Sequence, residues 1–246
     1  MDASLTSVGV LVLLGLGLIF GLKHATEVDH VVAVSSIVSQ NRNLMRSALV
    51  GALWGAGHTV SLLVTGTIVL SLRVAIPETV SAWLEFCVAL MILGLGASAL
   101  WRALRKGREV HLHKHSHDGV AHVHVHFHEV TTRHGHSSAH AHAVSSVGIK
   151  PVLVGTLHGL AGSGAITLVV LTQIRSVWLG LFYLAIFGVG SIVGMLLMSG
   201  LIGLPFVLSS RNLSGLHHRL QTAAAGLSIA FGLWYVYETS LGSGLF

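Results

Sequence analysis

Charged side chains are scarce in this chain: 14 Lys/Arg and 9 Asp/Glu among 246 residues, or 9%, where a soluble domain carries about 25%. Beside 52% hydrophobic residues, that shortage excludes a soluble globular enzyme and a disordered protein. Cysteine is almost absent. Cys87 alone permits neither an intramolecular disulfide nor a cysteine zinc site, and its apolar run, Phe86 to Leu95, reads it as a small hydrophobic filler. No G-x-x-x-x-G-K-[ST] phosphate loop occurs, so ATP is not hydrolysed by that route. The N-terminal end has Asp2 and no Lys or Arg, so no cleavable signal peptide is expected. The basic residues lie between apolar segments, which assigns them to a membrane surface and not to nucleic acid. Against these absences stand 29 glycines and 18 histidines. The composition is that of an integral membrane protein with a surplus of imidazole.

A bilayer core needs roughly 20 apolar residues per helix, and segments 46–72, 79–101, 150–172, 176–204 and 220–240 supply them. Segment 5–39 is too long for one straight crossing, at about 50 Å, and its polar run Lys23 to His30 divides it. It reads as one span broken at that run. The expected fold is all-α and integral to the membrane, with six transmembrane helices. Domains follow as 1–103 (three spans), a His-rich loop at 104–147, and 148–246 (three spans). With six spans, eleven basic residues share one side and only Arg73 and Arg175 the other. That bias places the loop in the cytoplasm and both termini outside, in a bacterial-type inner (plasma) membrane. A double crossing of 5–39 would move the N-terminus inside.

The halves also align with each other. A shift of 134 lays Leu22-Lys23-His24 over Thr156-Leu157-His158, and one of 133 lays Gly57-His58 over Gly190-Ser191. Three spans per half would make a 3+3 inverted repeat, in which substrate sites lie near the midplane on discontinuous helices. The broken first span and the Gly-rich stretch 159–164 form such a pair.

Ionisable groups inside a bilayer cost roughly 2.5–3.5 kcal/mol each on insertion scales, so a cluster marks function. The first span holds Lys23, His24, Glu27, Asp29 and His30; His58 lies in the second and His158 in the fourth. On a regular helix His24 and His30 stand about 240° apart. They converge only if the backbone leaves the helix there. Lys23 and Glu27, four residues apart, could pair as a structural ion pair. Imidazole with carboxylate and no thiolate suits a borderline divalent transition metal ion, whereas magnesium and calcium prefer oxygen. The candidate metal set is His24, Glu27, Asp29, His30, His58 and His158. A proton relay through Asp29 or Glu27 is compatible with it.

Twelve histidines fall within 111–142. His111, His113, His115 and His117 alternate with other residues, as do His122, His124, His126 and His128, which puts the imidazoles on one side of an extended chain. Disorder, or local ordering on metal, is expected here. The tract reads as an accessory loop for metal capture, buffering or sensing. His217 and His218 lie in a basic linker and read as solvent-facing.

His24-Ala25-Thr26-Glu27-Val28-Asp29-His30 resembles the H-x4-D-H signature of the nickel/cobalt transporter family, and Gly57-His58-Thr59-Val60-Ser61 is similar to that family's G-H-S-x-V segment. Leu157-His158-Gly159-Leu160-Ala161-Gly162-Ser163-Gly164 resembles second-half stretches of the broader family. Glu27 stands where the family usually has Asp, and the acidic, Thr-rich second-half motif of the eight-span uptake permeases is missing. The resemblance implies secondary transport of Ni²⁺ or Co²⁺, with His24, Asp29 and His30 central to selection. No prosthetic group and no enzymatic activity are expected. The expected partners are the metal ion, the lipid bilayer and a cytoplasmic metallochaperone or nickel-enzyme maturation protein. Zinc transport or metal efflux is the alternative within transport. A membrane metalloenzyme and a metal sensor or accessory protein are the alternatives outside it.

Overall fold

The computed structural model describes residues 7–73, 77–106, 111–117, 120–126, 148–161 and 176–242. Among these described residues seven α-helices carry the fold: α1 (Ser7–His24), α2 (Val28–Val38), α3 (Leu44–Leu72), α4 (Glu78–Lys106), α5 (Lys150–Leu160), α6 (Val177–Asn212) and α7 (Ser214–Tyr237), the last running into a π-helical turn at Glu238–Gly242. α3, α4 and α6 are each long and apolar enough to cross a bilayer. The pair α1 and α2 qualifies as one more span, bent by 52°. The protein is a membrane protein. Its outer faces carry large exposed apolar side chains, among them Leu11, Ile19, Leu197, Leu201 and Leu227, as lipid contact requires.

The break in the first span lies where the polar run predicts it. The amide and hydroxyl of Thr26 both donate to the Lys23 carbonyl, at 2.9 and 2.6 Å, which ends α1 in a tight turn. Glu27 then takes extended backbone (φ −63°, ψ 145°) as the residue before α2. Asp29 follows in the first turn of α2, where the helix dipole favours a carboxylate. Elsewhere the ends are marked by side chains. Asn43 caps α3 by accepting from the Arg46 amide at 3.1 Å, Ser176 caps α6 through the Leu179 amide at 3.4 Å, and Pro151 opens α5, where no amide donor is needed.

α3 packs on α5 and α6, while α1 packs on α6 and α4 on α7; α2 is enclosed by α4, α6 and α7. Glycine sets the spacing. Gly155 and Gly159, one turn apart on α5, lie against the Trp54 carbonyl and the His58 carbonyl of α3, leaving no room for a Cβ at either. That approach puts His158 beside α3. The core is filled by Trp54, Ile92, Tyr183, Phe187 and Met195.

Several expectations need correction. The predicted linker 205–219 is almost wholly helical: α6 continues through Pro205 to Asn212, and α7 begins at Ser214. His217 is therefore no free surface residue. It is half-buried, with Nδ1 3.1 Å from the Ser209 hydroxyl and Nε2 accepting from Gln221 at 3.0 Å. Cys87 is exposed on α4 instead of filling a gap. Beside the all-helical bundle, the loop where disorder or local ordering is expected forms an antiparallel hairpin, β1 (His111–His117) with β2 (Val120–His126). Its register sets His111 opposite His126, His113 opposite His124 and His115 opposite His122. His128, the histidines at 134, 136, 140 and 142, and residues 162–172 of the predicted fourth span lie outside the described residues.

Candidate metal centre

Five of the six intramembrane candidates meet at one place. His24 ends α1, Asp29 and His30 start α2, His58 sits mid-way along α3, and His158 is near the end of α5. The bend brings His24 and His30 to a ring separation of 4.5 Å, which no straight helix would allow. The four imidazoles are all buried.

Two clusters interleave. In the first, His24 Nε2 lies 3.0 Å from His58 Nε2, and the His30 ring is 5.4 Å from that of His58. In the second, the two oxygens of Asp29 serve different rings: Oδ1 lies 3.0 Å from His30 Nδ1 and Oδ2 2.8 Å from His158 Nε2. His24, His30 and His58 each offer a ligand atom within 4.8 Å of the others, and so do Asp29, His30 and His158. His30 belongs to both groups.

Glu27 falls in neither group. Its carboxylate is 3.0 Å from His24 Nδ1 and its side chain is 45% exposed, against 17% for Asp29. The candidate Lys23–Glu27 pair gives way to this contact because α1 ends before Glu27 is reached. Glu27 thus stands behind His24 at the solvent side, in the position from which a carboxylate orients a ligating imidazole.

The donor chemistry fits a transition metal ion. A carboxylate can only accept, so the rings of His30 and His158 turn their protonated nitrogens to Asp29 and keep a lone pair on the other. Those other atoms, His30 Nε2 and His158 Nδ1, are buried without a hydrogen-bond partner, as is His58 Nδ1. A buried polar atom left unsatisfied costs about 1–3 kcal/mol. Three such atoms in one cluster are lone pairs that a metal ion could take.

Two aromatic residues that the sequence reading did not single out wall the cluster. Trp54 lies 6.1 Å from His30 and 5.7 Å from His158, ring to ring. Phe187 lies 5.5 Å from His24. Trp54 precedes His58 by four residues on the same helix, and that spacing puts both on one face. Phe187 comes from α6 and carries no such local signal.

Comparison with known proteins finds two relatives. The chain is 37% identical over 244 residues to the urease accessory protein UreH of Bacillus sp. strain TB-90, spanning 97% of this chain and 96% of that protein. It is 34% identical over 108 residues to the hydrogenase nickel incorporation protein HupN of Bradyrhizobium diazoefficiens, covering 37% of this chain and 27% of that protein. By name one relative is an accessory protein and the other a nickel incorporation protein, and neither is an enzyme. No family model and no solved structure matches the chain.

Proposed function

The chain belongs to the family of the urease accessory protein UreH, and on that premise we propose that it carries Ni²⁺ across the membrane as a secondary transporter. The observation that carries this reading is the buried His/Asp cluster at the break of an apolar span. Ionisable groups there are expensive unless they serve a polar cargo. Imidazole and carboxylate together suit nickel and cobalt, and the name of HupN favours nickel. His24, Asp29, His30, His58 and His158 bind the ion, and Glu27 orients His24.

The transporter is built of six crossings in a 3+3 inverted repeat, with α1–α2, α3 and α4 in the first half and α5, α6 and α7 in the second. Recurrent contacts support the duplication. Gly21 lies against the Phe187 carbonyl as Gly155 lies against that of Trp54, and Gly190 meets the Leu18 carbonyl as Gly57 meets that of Val152. Each pair is related by the same shifts of 134 and 133 that align the sequence halves. A pseudo-two-fold exchange of halves is the geometry from which alternating access follows.

The His-rich loop lies in the cytoplasm, on the side favoured by the basic residues. Its hairpin register pairs three histidines of one strand with three of the other, which suits capture of the ion for a metallochaperone or a nickel-enzyme maturation protein.

The test is flux of Ni²⁺, Co²⁺ and Zn²⁺ into and out of proteoliposomes of known orientation. Ni²⁺ flux is expected, and alanine at His24, Asp29 or His30 should abolish it while the protein still inserts. Wild-type flux from all three variants would refute the site. Turnover of Zn²⁺ alone would refute the nickel assignment.

A further inference from the structure

The two ligand groups are distinct in chemistry and share one residue. The set of His24, His30 and His58 offers nitrogen only; the set of Asp29, His30 and His158 offers one oxygen and two nitrogens. His30 offers two nitrogens: its Nδ1 is at Asp29, 3.0 Å from Oδ1, and its Nε2, across Cε1 from it and aimed in a different direction, is buried without a partner. His24 and His158 are also the residues that the 134-residue shift superposes, and each belongs to only one of the sets.

Resting on the transport reading above, we propose that the metal ion crosses in two steps, handed by His30 from a station of His24 and His58 to a station of Asp29 and His158, or in reverse. One ion occupies the pair at a time, because both stations draw on the same imidazole and two dications so close repel. In the first station His30 binds through Nε2 while its Nδ1 proton rests on Asp29, which acts as an orienting carboxylate. In the second, Asp29 becomes a ligand, His30 binds through Nδ1 and His158 through Nε2, the proton of each ring relocated to its other nitrogen. Neither ring gains or loses a proton, and at His30 ion and proton change sides. Because His24 and His158 correspond across the two halves, the hand-off accompanies the exchange of roles between the halves.

The experiment uses the purified full chain in nanodiscs with Co²⁺ or Ni²⁺ alone, alongside flux in proteoliposomes. His58→Gln and His158→Gln, which keep a polar side chain in each cavity, each remove one station. Each variant should still bind one equivalent of metal but lose flux, and the two should differ in the Co²⁺ absorption spectrum, nitrogen-only in H158Q and mixed in H58Q. His30→Gln removes a ligand from both stations, so its affinity should fall by more than the ~10–100-fold that an outer-shell partner costs. Loss of binding in both H58Q and H158Q, with folding intact by circular dichroism, would show a single composite site. Wild-type flux in either would take that station off the route. If the wild type binds but moves no metal, the transport reading fails, and the binding and spectral pattern still decides whether two stations exist.

Discussion

Gly159→Ala would test whether the close contact of α5 with α3 holds the metal centre together. The glycine follows His158 directly, and a Cβ there would stand 2.5 Å from the His58 carbonyl oxygen and collide with the Ser61 hydroxyl. That is about 1 Å short of the ~3.5 Å at which such atoms pack comfortably. Both obstacles belong to the α3 segment that carries His58, so α5 must retreat. A retreat of about 1 Å would stretch the 2.8 Å contact between His158 and Asp29 beyond hydrogen-bonding range. Overpacking of this kind costs about 1–3 kcal/mol, which corresponds to roughly 5- to 150-fold in an equilibrium constant at 1.4 kcal/mol per tenfold. Ni²⁺ affinity and flux should fall together within that range. Gly94→Ala and Gly226→Ala serve as controls, since neither Cβ would meet an atom within 4 Å, and both should keep full flux. Wild-type flux and affinity in G159A would show that this close approach does not position His158.

Glu27→Gln removes the carboxylate behind His24 and should weaken Ni²⁺ binding by about 10–100-fold without loss of folded protein, read by isothermal titration in nanodiscs. Unchanged affinity would free Glu27 from any role at the site. Asn43→Ala removes the cap of α3 and should cost about 0.5–2 kcal/mol of stability, seen in thermal denaturation, while the affinity of the correctly folded fraction stays at the wild-type value. Replacing residues 111–126 with a Gly/Ser linker should remove metal bound by the loop and leave vesicle flux at saturating Ni²⁺ intact. Abolished flux would make the hairpin part of the translocation route.

The break in the first span was legible because Lys23 to His30 interrupt an otherwise apolar run, and no helix crosses a bilayer carrying five such groups without a reason. The rotational argument was equally local: 3.6 residues per turn cannot put His24 and His30 on one face, so the chain had to bend. Hydropathy failed at residues 205–219 because it reports where lipid ends, not where a helix ends. Ser209, Ser210, Arg211 and Asn212 end the apolar run, yet the backbone stays helical to Asn212 and, after Leu213, is helical again from Ser214. The division of Asp29 between His30 and His158 was beyond local reading. It depends on Gly155 and Gly159 letting α5 approach α3, a contact between segments about a hundred residues apart.

Gln221 has a mechanical consequence. Its amide nitrogen donates to the Ser39 carbonyl at 2.9 Å, tying the far end of α2 to α7, and through His217 and Ser209 to the end of α6. Ser228 adds two ties between the same helices, donating to the Val32 carbonyl at 3.0 Å and sharing a hydrogen bond with Ser36. α2 is thereby fastened to α7 along its length, so the two move as one body. A shift of that body of about 1 Å would part Asp29 from His158, which α5 carries, by stretching their contact beyond hydrogen-bonding range.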